Sequence, residues 1–109
     1  MFWGYCFLSV AILAEVAGTV SMKFSEGFNR WQPAVAMFVF YAMALLFLTF
    51  ALKWLELSLA YAIWAGVGTA LVALVGVTIL DEALSCSKAF SILLIIAGVV
   101  GLHLGSVFH

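Results

Sequence analysis

The sequence predicts an all-α membrane protein with four transmembrane helices, and three observations lead to this fold class. First, the 109 residues are 68% hydrophobic and only 8% charged, whereas about a quarter of the residues in a soluble domain are charged. Second, apolar runs of about 20 residues recur along the chain, the length that a helix needs to cross a bilayer. Third, four such spans use about 80 residues, which leaves short connections and favours a single domain over residues 1–109.

The first predicted span, residues 2–22, contains one acidic side chain, Glu15. Glu15 lies near the middle of this span, where an ionised side chain costs about 3 kcal/mol or more in the hydrocarbon. A carboxylate at this depth faces a helix bundle or a wet cavity, where it binds a proton, a cation or a partner helix. Glu15 is therefore the first candidate for a functional site. The structural alternative is that Glu15 stays protonated and hydrogen-bonds a neighbouring helix.

The second predicted span, residues 33–53, begins with Pro33 and ends at Lys53. Proline suits the first turn of a helix because the N–H that it lacks would be unpaired there. Residues 34–52 carry no charge, and Tyr41 lies near their middle. The connection to the next span is so short that the second and third spans are expected to be antiparallel neighbours.

The third predicted span, residues 58–80, combines aromatic side chains with glycines. Tyr61, Trp64 and Gly68 follow an i, i+3, i+7 spacing, so one helix face presents two rings followed by bare backbone. Each glycine costs about 1 kcal/mol of helix propensity relative to alanine. We therefore expect a hinge in the segment Gly66-Val67-Gly68. The alternative is that these glycines only permit close helix packing.

The fourth predicted span, residues 88–107, carries small residues on one stripe. Ser91, Gly98 and Gly105 recur at seven-residue intervals. Small residues let two helices approach closely, and in lipid this packing replaces the hydrophobic driving force of water. The stripe predicts a helix-association surface.

The acidic and aromatic residues of these spans favour ligand binding over catalysis. The sequence contains no nucleophile, metal or phosphate-loop motif, so we expect no enzyme activity, no metal and no cofactor. The remaining groups are Glu15 with Tyr41, Tyr61 and Trp64. Aromatic faces attract cations, most strongly when desolvated, and a carboxylate supplies the countercharge. These residues predict a site for a hydrophobic cation, while the net charge of −1 argues against nucleic acid as a partner.

Three strings of the sequence carry a resemblance to a known family. They are Ala14-Glu15-Val16-Ala17-Gly18-Thr19, Met22-Lys23-Phe24-Ser25-Glu26-Gly27-Phe28 and Ala60-Tyr61-Ala62-Ile63-Trp64-Ala65-Gly66-Val67-Gly68-Thr69. In a chain of this length they resemble the small multidrug resistance transporter family, and the resemblance covers essentially the whole chain. Members are four-helix subunits that pair as antiparallel dimers in the cell (inner or plasma) membrane and exchange protons for cationic, often aromatic, drugs.

The resemblance implies a role for each candidate residue. Glu15 would be the carboxylate shared by proton and substrate. The residues that would line the pocket around it are Leu8, Ala11, Ile12, Gly18 and Thr19. Its aromatic walls would be Tyr41, Tyr61 and Trp64. Gly66 and Gly68 match the flexible point of the third helix, and Gly98 matches the dimer stripe of the fourth. The implied partners are hydrophobic cations, protons, the lipid bilayer, and a second copy or a sister subunit.

Several positions bear on the branch of the family. The run Val16-Ala17-Gly18-Thr19 favours the quaternary ammonium branch, because guanidinium exporters usually carry a tryptophan just after the glutamate and valine. Ser91 replaces a common glycine, Ala44 replaces a serine, and the acidic pair Asp81-Glu82 is similar to that of paired, two-gene members. The alternatives are a subunit of a paired heteromeric exporter and a guanidinium or polyamine exporter. From different classes, a structural or regulatory membrane subunit and a cation channel also stay open.

Overall fold

The computed structural model describes residues 2–108, with side chains over residues 2–105. In this part of the chain it contains four α-helices and no strand: α1 (Phe2–Phe24), α2 (Trp31–Ala51), α3 (Leu57–Thr78) and α4 (Cys86–Phe108). All four are long and apolar enough to cross a membrane. The predicted four-span, all-α membrane fold is therefore confirmed, and the antiparallel dimer stays a prediction.

The helix ends differ from the predicted spans by a few residues. Helix α2 begins at Trp31, so Pro33 lies in its first turn as expected. Helix α4 begins at Cys86, two residues before the predicted start at residue 88. The reason is a cap, because the Lys88 backbone N–H donates to Ser85 Oγ at 3.0 Å and so satisfies one of the unpaired donors of the first turn.

The described helices fall into two compact units, one formed by α1 and α2 up to Leu55 and one formed by α3 and α4 from Glu56 onward. In the first unit, glycines of α1 permit close contacts with α2 and with the turn that follows it. A Cβ atom at Gly4 would lie 2.9 Å from Leu55 Cγ, and one at Gly18 would lie 2.9 Å from Tyr41 Cδ1. Carbon atoms normally pack about 3.5–4.0 Å apart, so only glycine permits this approach.

Aromatic rings hold one end of the first unit together. The Phe7 ring on α1 stacks on Trp54 with centroids 5.7 Å apart, and it contacts Phe50 at 5.6 Å and Phe47 at 6.0 Å. Ring pairs of this kind add about 0.5–1.5 kcal/mol beyond their buried area. The cluster therefore fixes α1 along α2, which sets the register of the residues near Glu15.

The loop between α1 and α2 is organised around Ser25, which is only 1% exposed. Its hydroxyl donates to the Met22 carbonyl at 2.7 Å and accepts from the Phe28 N–H at 3.2 Å. Gly27 has a φ of +69°, a conformation that glycine adopts without steric cost. This compact turn makes α1 and α2 antiparallel neighbours.

In the second unit, α3 packs on α4 through Gly66. A Cβ atom at this position would lie 2.6 Å from Val99 Cγ2 and 3.1 Å from Ile95 Cγ2. Helix α3 is continuous through residues 66–68. At its end the Glu82 N–H donates to the Gly76 carbonyl at 2.9 Å, so the following loop folds back on the helix.

Candidate functional site

The candidate site is built around Glu15, which is half-buried on α1. Thr19, one turn later on the same helix, donates a hydrogen bond from Oγ1 to Glu15 Oε1 at 3.1 Å. Residues four apart on a helix lie one above the other, which explains why this pair meets. The carboxylate therefore has one hydroxyl donor supplied by its own helix.

Tyr41 joins this pair from α2. Its hydroxyl oxygen lies 2.7 Å from Thr19 Oγ1, within hydrogen-bond distance. The Tyr41 ring lies against the bare backbone of Gly18, where a Cβ atom would be 2.9 and 3.0 Å from two ring carbons. Gly18 thus gives the ring the space that brings its hydroxyl to Thr19. The result is a hydrogen-bonded chain, Tyr41–Thr19–Glu15, that crosses from α2 to α1.

The pocket residues that the family resemblance implies share one face of α1. Leu8, Ala11 and Ile12 precede Glu15 by seven, four and three residues, and Gly18 follows it by three, the spacings of one helix face. Leu8 is 1% exposed, Ala11 0% and Ile12 5%. The structure therefore places these residues on the Glu15 face of α1, and their contact with a substrate stays a prediction.

The second aromatic group lies on α3. The rings of Tyr61 and Trp64 contact each other edge to face, with centroids 5.6 Å apart and an interplanar angle of 67°. Tyr61 is 58% exposed and borders an open pocket of about 440 Å³ with Leu57, Ser58 and Ala62. The Trp64 Nε1–H is buried and has no hydrogen-bond partner among the described residues. The exposed Tyr61 ring gives this pocket an aromatic wall that can receive a ligand.

The structure thus gathers the predicted site residues into two groups, one in each unit. Glu15, Thr19 and Tyr41 form the polar group of the first unit, and Tyr61 and Trp64 form the aromatic group of the second. Enclosure of one cation by both groups stays a prediction. Within residues 2–108, no cluster of three or more His, Cys, Asp or Glu side chains is arranged to hold a metal ion.

The predicted hinge and dimer stripe differ in their surroundings. Gly66 is a packing position against Val99, so its role in bending α3 stays a prediction. None of the described α4 side chains is buried. At Gly98 and Gly105, an added Cβ would meet no described atom within 4 Å. Within the second unit, the two glycines of the stripe therefore leave room for the close approach of a partner helix.

Two contacts made by the candidate residues could not be recognised from the sequence. The bond between Thr19 and Tyr41 joins residues 22 positions apart, and sequence spacing gives the face of each helix but not the register between helices. The contact of Gly66 with Val99 and Ile95 likewise connects two separate spans. The only sequence signal for either contact is a glycine at the point of approach.

Comparison with known proteins places these features in a family context. The sequence model of the family described as Small Multidrug Resistance protein matches residues 3–95. The multidrug resistance protein EbrB of Bacillus subtilis is 45% identical over 100 residues, covering 92% of this chain and 86% of that protein. The multidrug resistance protein EbrA of Bacillus atrophaeus is 42% identical, with 94% and 98% covered. A guanidinium exporter of Yersinia pseudotuberculosis is 37% identical, with 91% and 95% covered.

Proposed function

The chain belongs to the small multidrug resistance family, and from this premise we propose that it is a proton-coupled antiporter that exports hydrophobic and aromatic cations such as quaternary ammonium compounds. It is a multi-pass protein of the plasma membrane with four membrane-spanning helices. Its relatives EbrB and EbrA are named as multidrug resistance proteins. The substrate class and the coupling to protons are the proposed part.

The observation that carries this proposal is Glu15, a half-buried carboxylate with a hydroxyl donor in an apolar helix. A carboxylate at membrane depth needs a compensating positive charge. Either a proton or an organic cation can supply that charge, and one carboxylate has room for only one of them. Binding of the two is therefore mutually exclusive, so a proton moving inward is exchanged for a cation moving outward.

The aromatic residues support the choice of substrate. Each ring that faces a cation contributes about 0.5–2 kcal/mol, with the larger values in desolvated sites. Tyr61 borders an open apolar pocket, and the Trp64 ring contacts Tyr61 edge to face. Such a wall suits the bulky apolar part of the cation, while Glu15 binds its charge.

The proposal includes alternating access, in which one binding site opens to each side of the membrane in turn. The proposed working unit is an antiparallel dimer, because one subunit supplies a single Glu15 and because none of the described α4 side chains is buried. The stripe of Gly98 and Gly105 gives a second copy or a sister subunit a surface for close approach. Softened helices near the membrane midplane let transporters expose one site to either side in turn, and residues 66–68 are our candidate for this bend.

Two alternatives within the family have their own support. A guanidinium exporter is among the relatives, but Ala17 stands here where the resemblance leads us to expect tryptophan in that branch. A paired heteromeric exporter is supported by the acidic Asp81-Glu82 turn. In that case the chain would need a sister subunit for transport.

Transport by the purified protein in liposomes tests the proposal. With an acidic interior, the protein should accumulate tetraphenylphosphonium, a hydrophobic aromatic cation, against its gradient. Glu15→Gln should abolish this accumulation, and Glu15→Asp should change its dependence on pH. Glu26→Gln removes the same charge from an exposed loop position and is the matched control.

The outcomes separate the alternatives. Accumulation by the Glu15→Gln protein would contradict the shared-carboxylate mechanism. Transport of guanidinium in preference to the aromatic cation would favour the guanidinium branch. Activity that appears only after a homologous subunit is added would favour the heteromeric exporter.

A further inference from the structure

We propose that Thr19 is a positioning residue that switches between two hydrogen-bond acceptors, holding the Tyr41 hydroxyl while Glu15 is ionised and releasing it when Glu15 is protonated. The role of this switch in transport rests on the proposed function. The switch itself rests on the hydrogen bonds that join Tyr41, Thr19 and Glu15, and on the backbone acceptors that other helical hydroxyls of this protein use.

The direction of the hydrogen bonds in this chain follows from the number of available protons. Thr19 has one hydroxyl proton, and with an ionised Glu15 it donates that proton to the carboxylate oxygen 3.1 Å away. The 2.7 Å contact between Thr19 and Tyr41 must then use the Tyr41 proton. Both hydroxyls therefore point toward the carboxylate, and each bond strengthens the other. In this state Tyr41 is held against α1.

Thr19 differs from other hydroxyls on the described helices. Ser9, Thr49, Thr69 and Thr78 each donate to the backbone carbonyl four residues earlier, at 2.7–2.8 Å. That carbonyl is the ordinary acceptor for a helical threonine, which divides between two rotamers for this reason. Thr19 instead donates to a side chain.

Protonation of Glu15 reverses the preference of Thr19. A hydrogen bond to a charged acceptor is roughly twice as strong as one to a neutral acceptor. With a neutral carboxyl group, the backbone carbonyl of Glu15 becomes the better acceptor for Thr19. In the proposed protonated state, Thr19 adopts its other helical rotamer to reach that carbonyl, its oxygen leaves Tyr41, and the ring is released.

Few other ionisable groups can drive this change within the first unit. Helix α2, which packs against α1, contains no Asp, Glu, Lys, Arg, His or Cys from Trp31 to Ala51, and Tyr41 is its single tyrosine. Glu15 is also the only acidic residue of α1, whose other ionisable side chains are Tyr5, Cys6 and Lys23. The charge on Glu15 is therefore the variable that sets the state of Thr19.

The consequence for transport concerns the order of binding. The ionised form, which is ready to receive a cation, holds Tyr41 in place as a wall of the site. The protonated form releases that wall and so presents a weaker cation site. Thr19 would thereby help to keep proton and cation from occupying the site together.

Nuclear magnetic resonance of carbon-13-labelled tyrosine and glutamate tests the switch without any substrate. The ring carbon of Tyr41, assigned by loss of its signal in Tyr41→Phe, should move through the same pH transition as the carboxyl carbon of Glu15. In Thr19→Val, which keeps the shape but lacks the hydroxyl, Glu15 should still titrate while the Tyr41 signal loses most of its response. Thr19→Ser should restore the response. Thr49→Val, which removes an exposed hydroxyl on α2, should leave the response unchanged.

A permanently neutral side chain gives a second test that does not depend on the folding of a Thr19 variant. In Glu15→Gln, the Tyr41 signal should stay at its acid-limit position at every pH. A Tyr41 signal at the alkaline limit in this protein, or an unchanged response in Thr19→Val, would overturn the switch. If the switch is wrong and the proposed function is right, the liposomes accumulate the cation although the Tyr41 and Glu15 signals do not move together. If the proposed function is wrong and the switch is right, the two signals move together although no transport is observed.

Discussion

Replacing Gly66 by alanine should force α3 away from α4, because the structure leaves no room for a methyl group there. A Cβ at this position would lie 2.6 Å from Val99 Cγ2 and 3.1 Å from Ile95 Cγ2, whereas carbon atoms pack at about 3.5–4.0 Å. Both neighbours are β-branched and stiff at χ1 on a helix, so neither can swing aside. Relief therefore requires the helices to separate locally by about 1 Å.

The expected cost follows from two opposing effects. Forcing an extra methyl group into a packed contact costs about 1–3 kcal/mol, while alanine improves helix propensity over glycine by about 1 kcal/mol. The free energy of unfolding should therefore fall by about 1 kcal/mol. Val99→Ala removes the methyl groups that clash, so the double variant should be more stable than the sum of the single effects by about 1–2 kcal/mol.

Unfolding in mixed detergent micelles, followed by near-ultraviolet circular dichroism of the tryptophans, measures these differences. Gly101→Ala is the matched control, since a Cβ on that α4 glycine would meet no described atom within 4 Å. It should be at least as stable as the unmodified protein. A Gly66→Ala protein that keeps full stability, with no recovery in the double variant, would refute the packing argument.

Three further predictions concern the site, the hinge and the orientation. Trp64→Phe should weaken tetraphenylphosphonium binding less than Trp64→Leu, which should lose up to about tenfold through the missing ring; equal affinities would show that the ring does not contact the cation. Gly68→Val should slow transport measured at saturating substrate, and an unchanged rate would contradict the hinge. Single cysteines at Glu56 and Ala83, in a background without native cysteines, should both label partly from outside if the protein self-pairs in two orientations. Strictly one-sided labelling combined with full transport by the lone protein would argue against the antiparallel arrangement.

The fold could be predicted from the sequence because its main determinant is local. Apolar runs of bilayer length, separated by short polar segments, are sufficient to predict four helices, and the structure contains them. The helix ends were less predictable because hydropathy does not describe caps. Helix α4 starts at Cys86 because the hydroxyl of Ser85 accepts a hydrogen bond from the Lys88 N–H. A single polar side chain therefore decides where this helix begins.

The candidate site could be predicted only along each helix. The i+3 spacing of Tyr61 and Trp64 predicted that their rings share a face, and the rings do contact each other. The bond from Tyr41 to Thr19 depends on how far α1 is shifted along α2. That shift is set by the ring contacts of Phe7 and by packing at Gly18, so it is not encoded in either helix alone. Gly66 had two interpretations in the sequence, and its close approach to Val99 provides physical support for the packing interpretation.

The central claim, that proton and cation compete for Glu15, is tested most directly by counting the protons released when the cation binds. The purified protein, in weakly buffered detergent solution, is titrated with tetraphenylphosphonium while the pH is recorded. Protons should appear in proportion to the cation bound, with more released per cation as the starting pH is lowered. The Glu15→Gln protein should release none, and Glu26→Gln should behave as the unmodified protein. Cation binding without proton release at every pH, or equal release from the Glu15→Gln protein, would contradict the shared-carboxylate mechanism.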